Sequence, residues 1–192
     1  MFAFSAQPKA QPKGFTPHPV TSTFYLGNVQ CARCVTAIAD SLTKVPSFKE
    51  IKMKSADGYA QISFDTHVSS YHQIAQAIAD AAPQHGEKYV CTLRFSVPDY
   101  AKDDNAAKVD AVFAKRKEWV SVECQNREKG EFVLRFLPLQ VDAKKSGPQG
   151  WNAGHFGHAI HDPAPKGLGL GFAMKREGAA PAGKAKAKGK QK

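Results

Sequence analysis

No stretch of this chain is apolar for the roughly 20 residues that a membrane-crossing helix needs. Cysteine is scarce, with four residues in 192 at irregular spacing, which excludes a disulfide-stapled scaffold. No glycine-rich phosphate loop follows a strand, no Ser-His-Asp arrangement stands out, and no two acids share one helix face. Nothing in the motifs therefore calls for catalysis, and a non-enzyme is expected. Acidic residues are outnumbered, 17 against 27 basic ones, for a formal charge of +10. That excess is uneven. From Lys175 onward seven Lys and Arg face Glu177 alone, so +6 of the charge lies there and the body carries only +4. A charge concentrated in a tail is poor ground for a nucleic-acid-binding domain, and nucleic acid is not an expected partner.

What the chain does have is centred on Val29-Gln30-Cys31-Ala32-Arg33-Cys34. Ser22 to Val29, with Thr, Phe, Tyr and Leu, suits a strand. From about Ala32 to Lys44, Cys34, Ile38 and Leu42 recur every four residues on one apolar helix face. The two thiols thus fall at a strand-to-helix junction. Unpaired backbone N–H groups and the helix dipole put partial positive charge there, which favours a thiolate. Arg33 adds a full charge. Two sulfurs at this spacing can bind a soft metal ion or close a disulfide.

The flanking pattern extends the motif. Ser47 to Lys54 reads as a second strand and Asp57-Gly58 as a hairpin turn. Tyr59 to Asp65 alternates, with Ala60, Ile62 and Phe64 on one face. Ser70 caps a helix whose stripe is Tyr71, Ile74, Ile78 and Ala81. Lys88 to Val97 is a fourth strand. The order is βαββαβ, a split βαβ arrangement, so the expected class is α+β and ferredoxin-like.

Over Thr21 to Val97 this order, the CxxC loop, the strand end Ile62-Ser63-Phe64-Asp65 and the Ile74 to Ile78 helix resemble the heavy-metal-associated domain. That is the fold of small copper chaperones, of the N-terminal modules of copper-exporting ATPases and of periplasmic mercury-binding proteins. The resemblance implies metallochaperone-like binding and transfer of Cu(I), with Zn(II) or Hg(II) as other soft ions, through Cys31 and Cys34. It also implies a partner with its own thiols that gives or accepts the metal. Val29 stands where the family often has Met, which departs from the subtype and not from the ligand pair. The family places a group from the loop after the second helix near the metal. Here His85 is the candidate third ligand, and Lys88 a candidate for offsetting the charge of a bis-thiolate centre.

Beyond Val97 the same order recurs. Asp103 or Asp104 caps a helix to about Lys115, Glu118 to Gln125 and Glu131 to Leu137 are strands about a Lys129-Gly130 turn, Trp151 to His161 is a short helix, and Leu168 to Lys175 a last strand. This is a second, divergent unit of the same order, and Lys88 to Val97 can serve both. Its loop Pro98 to Asp104 has no thiol, so no metal is expected there. Cys91 and Cys124 lie on apolar strand faces and read as buried structural thiols. His67 and His72 read as solvated. His155, His158 and His161 form a weaker metal cluster, because i, i+3, i+6 drifts around a helix and Gly154 and Gly157 weaken it.

The expected organisation is a linker over 1–20, a metal-binding domain over 21–97, a divergent domain over 98–176 and a basic, disordered tail over 177–192. The tail can touch an anionic surface or act as a solubilising extension. Ala3-Phe4-Ser5 before Ala6-Gln7-Pro8 looks like the end of a signal peptide, which favours a periplasmic or otherwise exported setting over the cytoplasm. Two rival functions remain. One is a thiol–disulfide redox protein, although no thioredoxin order with its cis-Pro strand is visible. The other is a non-catalytic interaction module with a degenerate metal site.

Overall fold

Strand alternation builds one sheet. The computed structural model describes residues 2–5 (backbone only), 16–54 and 57–177. Its strands are β1 (Phe2–Ser5), β2 (Pro19–Gly27), β3 (Glu50–Met53), β4 (Tyr59–Asp65), β5 (Val90–Ser96), β6 (Val120–Asn126), β7 (Glu131–Phe136) and β8 (Ala173–Met174). The helices are α1 (Ala32–Leu42), α2 (Tyr71–Ala79), α3 (Asn105–Ala114) and α4 (Gly154–His161). Every strand pair is antiparallel, in the order β1-β3-β4-β2-β5-β7-β6, with β8 paired to β5 off this path. The class is α+β.

Period-two alternation puts Phe24 and Leu26 of β2, Ala60, Ile62 and Phe64 of β4, Leu93 and Phe95 of β5, and Phe132 and Leu134 of β7 into one buried layer. Cross-strand neighbours such as Leu93–Leu134 and Phe95–Phe132 share this layer. The helices supply its other wall through Cys34, Val35, Ile38 and Leu42 of α1, Ile74 and Ile78 of α2, Val109 of α3, and Phe156 and Ile160 of α4. Each such large side chain contributes about 1.5–3 kcal/mol when taken from water.

β5 joins the two halves. Its first residues pair with β2 (Gly27–Val90, Leu26–Cys91, Tyr25–Thr92), and from Thr92 to Ser96 it pairs with β7. The strands of both halves therefore lie in one continuous sheet over one connected core.

Several local features differ from the sequence pattern. Phe2–Ser5, placed in the linker, form β1 against the outer edge of β3, whose backbone groups there need partners. The rest of the linker up to residue 15, and the tail from 178, lie outside the described residues. The strand read from Ser47 begins only at Glu50, because Ser47 turns the chain with φ +70°. The last strand shortens to Ala173–Met174. Ser70 caps α2 in a full capping box with Gln73. Asp104 stands at the N-cap of α3 but makes no capping bond there. Its carboxylate instead pairs with Lys108 at 2.7 Å.

His72 is fully buried, contrary to a solvated histidine. The loop between β7 and α4 folds back over α2 and covers it. Polar side chains of α2 take up that loop's backbone: Gln149 N–H donates to Gln73 Oε1 at 3.0 Å, Leu139 N–H to Gln76 Oε1 at 2.7 Å, and Ser70 Oγ to Gln149 O. Trp151 is then buried with Tyr71, Phe136 and Phe156 around its ring. Cys91 is buried as expected, whereas Cys124 is exposed. β6 is the last strand on its side, and cover falls away along it from buried Val120 through half-buried Val122 to Cys124.

Candidate metal centre

The chain leaves β2 through Asn28, whose φ of +66° turns it out of the sheet and into the cysteine loop. Cys31 takes the N-cap position of α1 in extended backbone (φ −152°, ψ 171°) and makes no side-chain capping bond. Its thiol is thereby left to face Cys34, one turn on. The two Sγ atoms are 3.5 Å apart. A disulfide needs about 2.05 Å, so this is a dithiol. Two sulfurs at that separation can both lie about 2.3 Å from one metal ion.

The third group comes from a distant part of the chain. His85 lies in the loop after α2, and its Nε2 is 3.2 Å from Cys31 Sγ. A bridging ion needs N···S below about 4.3 Å, the two bond lengths end to end. The donor atoms of Cys31, Cys34 and His85 all lie within 4.8 Å of one another. Among the described residues this is the group of three or more His, Cys, Asp or Glu so gathered. Cys34 is buried, Cys31 half-buried and His85 exposed, so the cluster opens to solvent on the histidine side.

The electrostatics favour a thiolate. Cys31 has its pKa lowered, chiefly by the nearby Cys34 backbone N–H; partial burial opposes this, and the Cys34 side chain, the Arg33 backbone and the Arg33 charge add to the lowering. No acidic residue in the first turn of α1 opposes this. On the inner side Tyr89, 2 % exposed, donates its hydroxyl to Ala82 O at 3.5 Å, and burial together with the nearness of Cys34 pushes its pKa up to about 12. It therefore stays neutral beside the cysteine pair.

Of the residues singled out in the sequence, Cys31, Cys34 and His85 converge. Lys88 contributes its backbone carbonyl, which accepts a hydrogen bond from Asn28 Nδ2 at 2.8 Å. The three histidines of α4 have separate partners. His155 accepts from Asn152 N–H and stacks on Trp119, His158 pairs with Asp162 at 3.5 Å, and His161 Nδ1 sits 3.3 Å from Leu170 O. His67 is exposed and stacks on His18. Burial raises the Cys91 thiol well above its usual range, which suits a structural role. Sequence reasoning passed over Asn28 and Tyr89. An Asn directly after Gly27 at a strand end was a usable signal, because Asn tolerates a left-handed turn.

The donor set, two thiol sulfurs and one imidazole, is one that could hold a metal ion. No protein-family model matches the chain, and no curated protein does. Among solved structures, the water-soluble region of the P-type ATPase CopA from Bacillus subtilis aligns with 88 % of this chain and all of its own length, at 14 % identity and a TM-score of 0.39. Among the described residues no helix is long and apolar enough to cross a membrane.

Proposed function

We propose that this protein binds one soft metal ion, Cu(I), at Cys31 and Cys34 with His85 as a third donor, and passes it on as cargo. One observation carries the reading: three soft or borderline donors, 54 residues apart in sequence at the extremes, converge within 4.8 Å of one another on an open edge of the fold. Thiolates select Cu(I) over hard ions, and Cu(I) is satisfied by two or three donors. Zn(II) would ask for a fourth. The heavy-metal-associated, ferredoxin-like reading of the first half is supported by the strand order β3-β4-β2-β5 beside α1 and α2. The neighbours β6-β7-β5-β8 in the second half support a divergent repeat of it, without thiols in the loop 98–104.

The proposed transfer is ligand exchange and not catalysis of a covalent reaction. A partner's thiolate approaches from the exposed histidine side and adds to the ion as His85 leaves. One of the chain's own sulfurs then departs and takes up a proton, while copper stays Cu(I) throughout. A thiol–disulfide redox role would draw on the same 3.5 Å sulfur approach and lowered Cys31, but it has no use for His85.

The test is an anaerobic Cu(I) competition titration against a chromogenic chelator, with the reduced protein and a Cys31→Ser, Cys34→Ser variant. One-to-one withdrawal of copper by the protein, lost in the variant, is the expected result. Equal, weak withdrawal by both would retire the reading.

A further inference from the structure

We infer that Asn28 is a positioning residue for the metal centre, holding the His85 loop in register with the cysteine loop. The inference rests on the Cu(I) reading above. It starts from how the β2–β5 ladder ends. The last backbone pair is Gly27–Val90. One residue further, Asn28 adopts φ +66° and carries the chain away toward Cys31. Ordinary strand pairing stops there, yet the two chains must still stay aligned, because Cys31 lies three residues on and His85 three residues before Lys88.

The Asn28 side chain takes over from the backbone. Its Nδ2 donates to Lys88 O at 2.8 Å across 60 residues of sequence. The same residue thus makes the turn and the bridge. Asn is among the few residues that enter the left-handed region at small cost, and its amide supplies the donor that the departing backbone no longer offers.

Apart from its own contact with Cys31 Sγ at 3.2 Å, little else among the described residues holds His85. Residues 82–88 form no helix or strand and are exposed, between buried Ala81 and buried Tyr89. Gly86, next to His85, has φ +86° with nothing near the place of a Cβ, so the loop is not wedged by packing. Side-chain hydrogen bonds within the loop, Gln84 Nε2 and Tyr89 hydroxyl to Ala82 O, reach only its first residue. Between the two halves of the site the Asn28 bridge is the link on the side of Lys88. Losing it frees the loop to carry the imidazole away from Cys31, while both thiols keep their helix-start geometry. The centre then falls from three donors to two.

The experiment compares wild type, Asn28→Gly, His85→Ala and the double variant. Glycine keeps the left-handed turn, and Asn28→Asp serves as a second variant that keeps size and turn but removes the donor. Cu(I) affinity is read by chelator competition, the copper ligand set by X-ray absorption, and apo-protein thermal melting serves as the folding control. Loss of an outer partner that orients a ligand costs about 10–100-fold in affinity. Asn28→Gly is expected to lower affinity about tenfold, to lose the nitrogen from the copper shell, and to add nothing when combined with His85→Ala. A two-sulfur, one-nitrogen shell and unchanged affinity in Asn28→Gly would overturn the inference and leave the copper reading standing. Full additivity of the two substitutions, or a wild-type shell without nitrogen, would also overturn it. Failure of wild type to bind Cu(I) at all would instead sink the functional reading on which it rests.

Discussion

Protonating His72 would put a charge where the fold has left no counter-ion. The ring is wholly buried, its Nε2 donates to Leu137 O at 2.6 Å, and its Nδ1 accepts from Trp151 N–H at 3.3 Å. The neutral Nε2–H tautomer satisfies both. Desolvation lowers its pKa, partly offset by the Leu137 carbonyl, and no charged side chain enters the balance. The unfolded chain, with an ordinary imidazole pKa of about 6.5, therefore binds the proton more readily than the fold. Stability from this residue is complete above that value and is lost as pH falls through it toward the lower folded pKa. The urea midpoint of wild type is expected to drop between pH 7.5 and 5.5 by more than that of His72→Gln, which keeps a donor but does not titrate. Equal drops would show that His72 adds nothing. Half-buried His155, lowered by burial and by Arg116, contributes in the same direction in both proteins.

At the scale of elements, the β6–β7 hairpin depends on Gly130 for two reasons that need separating. Its φ of +59° favours glycine in any hairpin. A Cβ there would also lie 1.9 Å from Val97 O, a backbone atom that cannot swing aside. Gly58, at the turn before β4, has φ +66° but no atom within 4 Å of a Cβ. Gly58→Ala is therefore expected to cost about 1 kcal/mol, and Gly130→Ala about 2 kcal/mol or more. Thermal melting of both variants checks the difference, and equal losses would remove the Val97 contact from the account. The two turns look alike in sequence, as Asp57-Gly58 and Lys129-Gly130. Only the docking of residue 97 against the second turn distinguishes them, through the Val97 N–H to Gly130 O bond of 2.8 Å.

For the whole molecule, β5 pairs with β2 of one half and β7 of the other, and the two halves are therefore expected to unfold as one cooperative body. Leu93, fully buried at its centre, packs between the halves and faces Leu134 across the ladder. Leu93→Ala is expected to cost about 2–5 kcal/mol, and the loss should fall on both halves. In native-state hydrogen exchange the amides of Ile62 in β4 and Leu134 in β7 should report the same opening free energy, and both should fall together in the variant. If only Leu134 loosened, the halves would be separate folding units and β5 would belong to the first alone.

Much of this was legible locally. Alternation marked β4, β5 and β7, the four-residue recurrence of Cys34, Ile38 and Leu42 marked α1, and Ser70 marked the start of α2. The cysteine pair was legible too, because its placement depends on residues only three apart at a helix start. These features follow from short-range geometry, in which side-chain period and backbone preference are written residue by residue. What lay beyond the sequence depends on pairs distant along the chain. The burial of His72 needs a loop some 65–79 residues away, β1 needs the free edge of β3, and the exposure of Cys124 comes from β6 ending the sheet. The Asn28 bridge spans 60 residues, and the approach of His85 to Cys31 across 54 was expected only from the family resemblance and not from the local pattern. Local propensity carries no record of such meetings. The sequence alone determined where the thiols stand and which elements bear them; the tertiary structure decided what surrounds them, because a third donor is set by how the sheet closes.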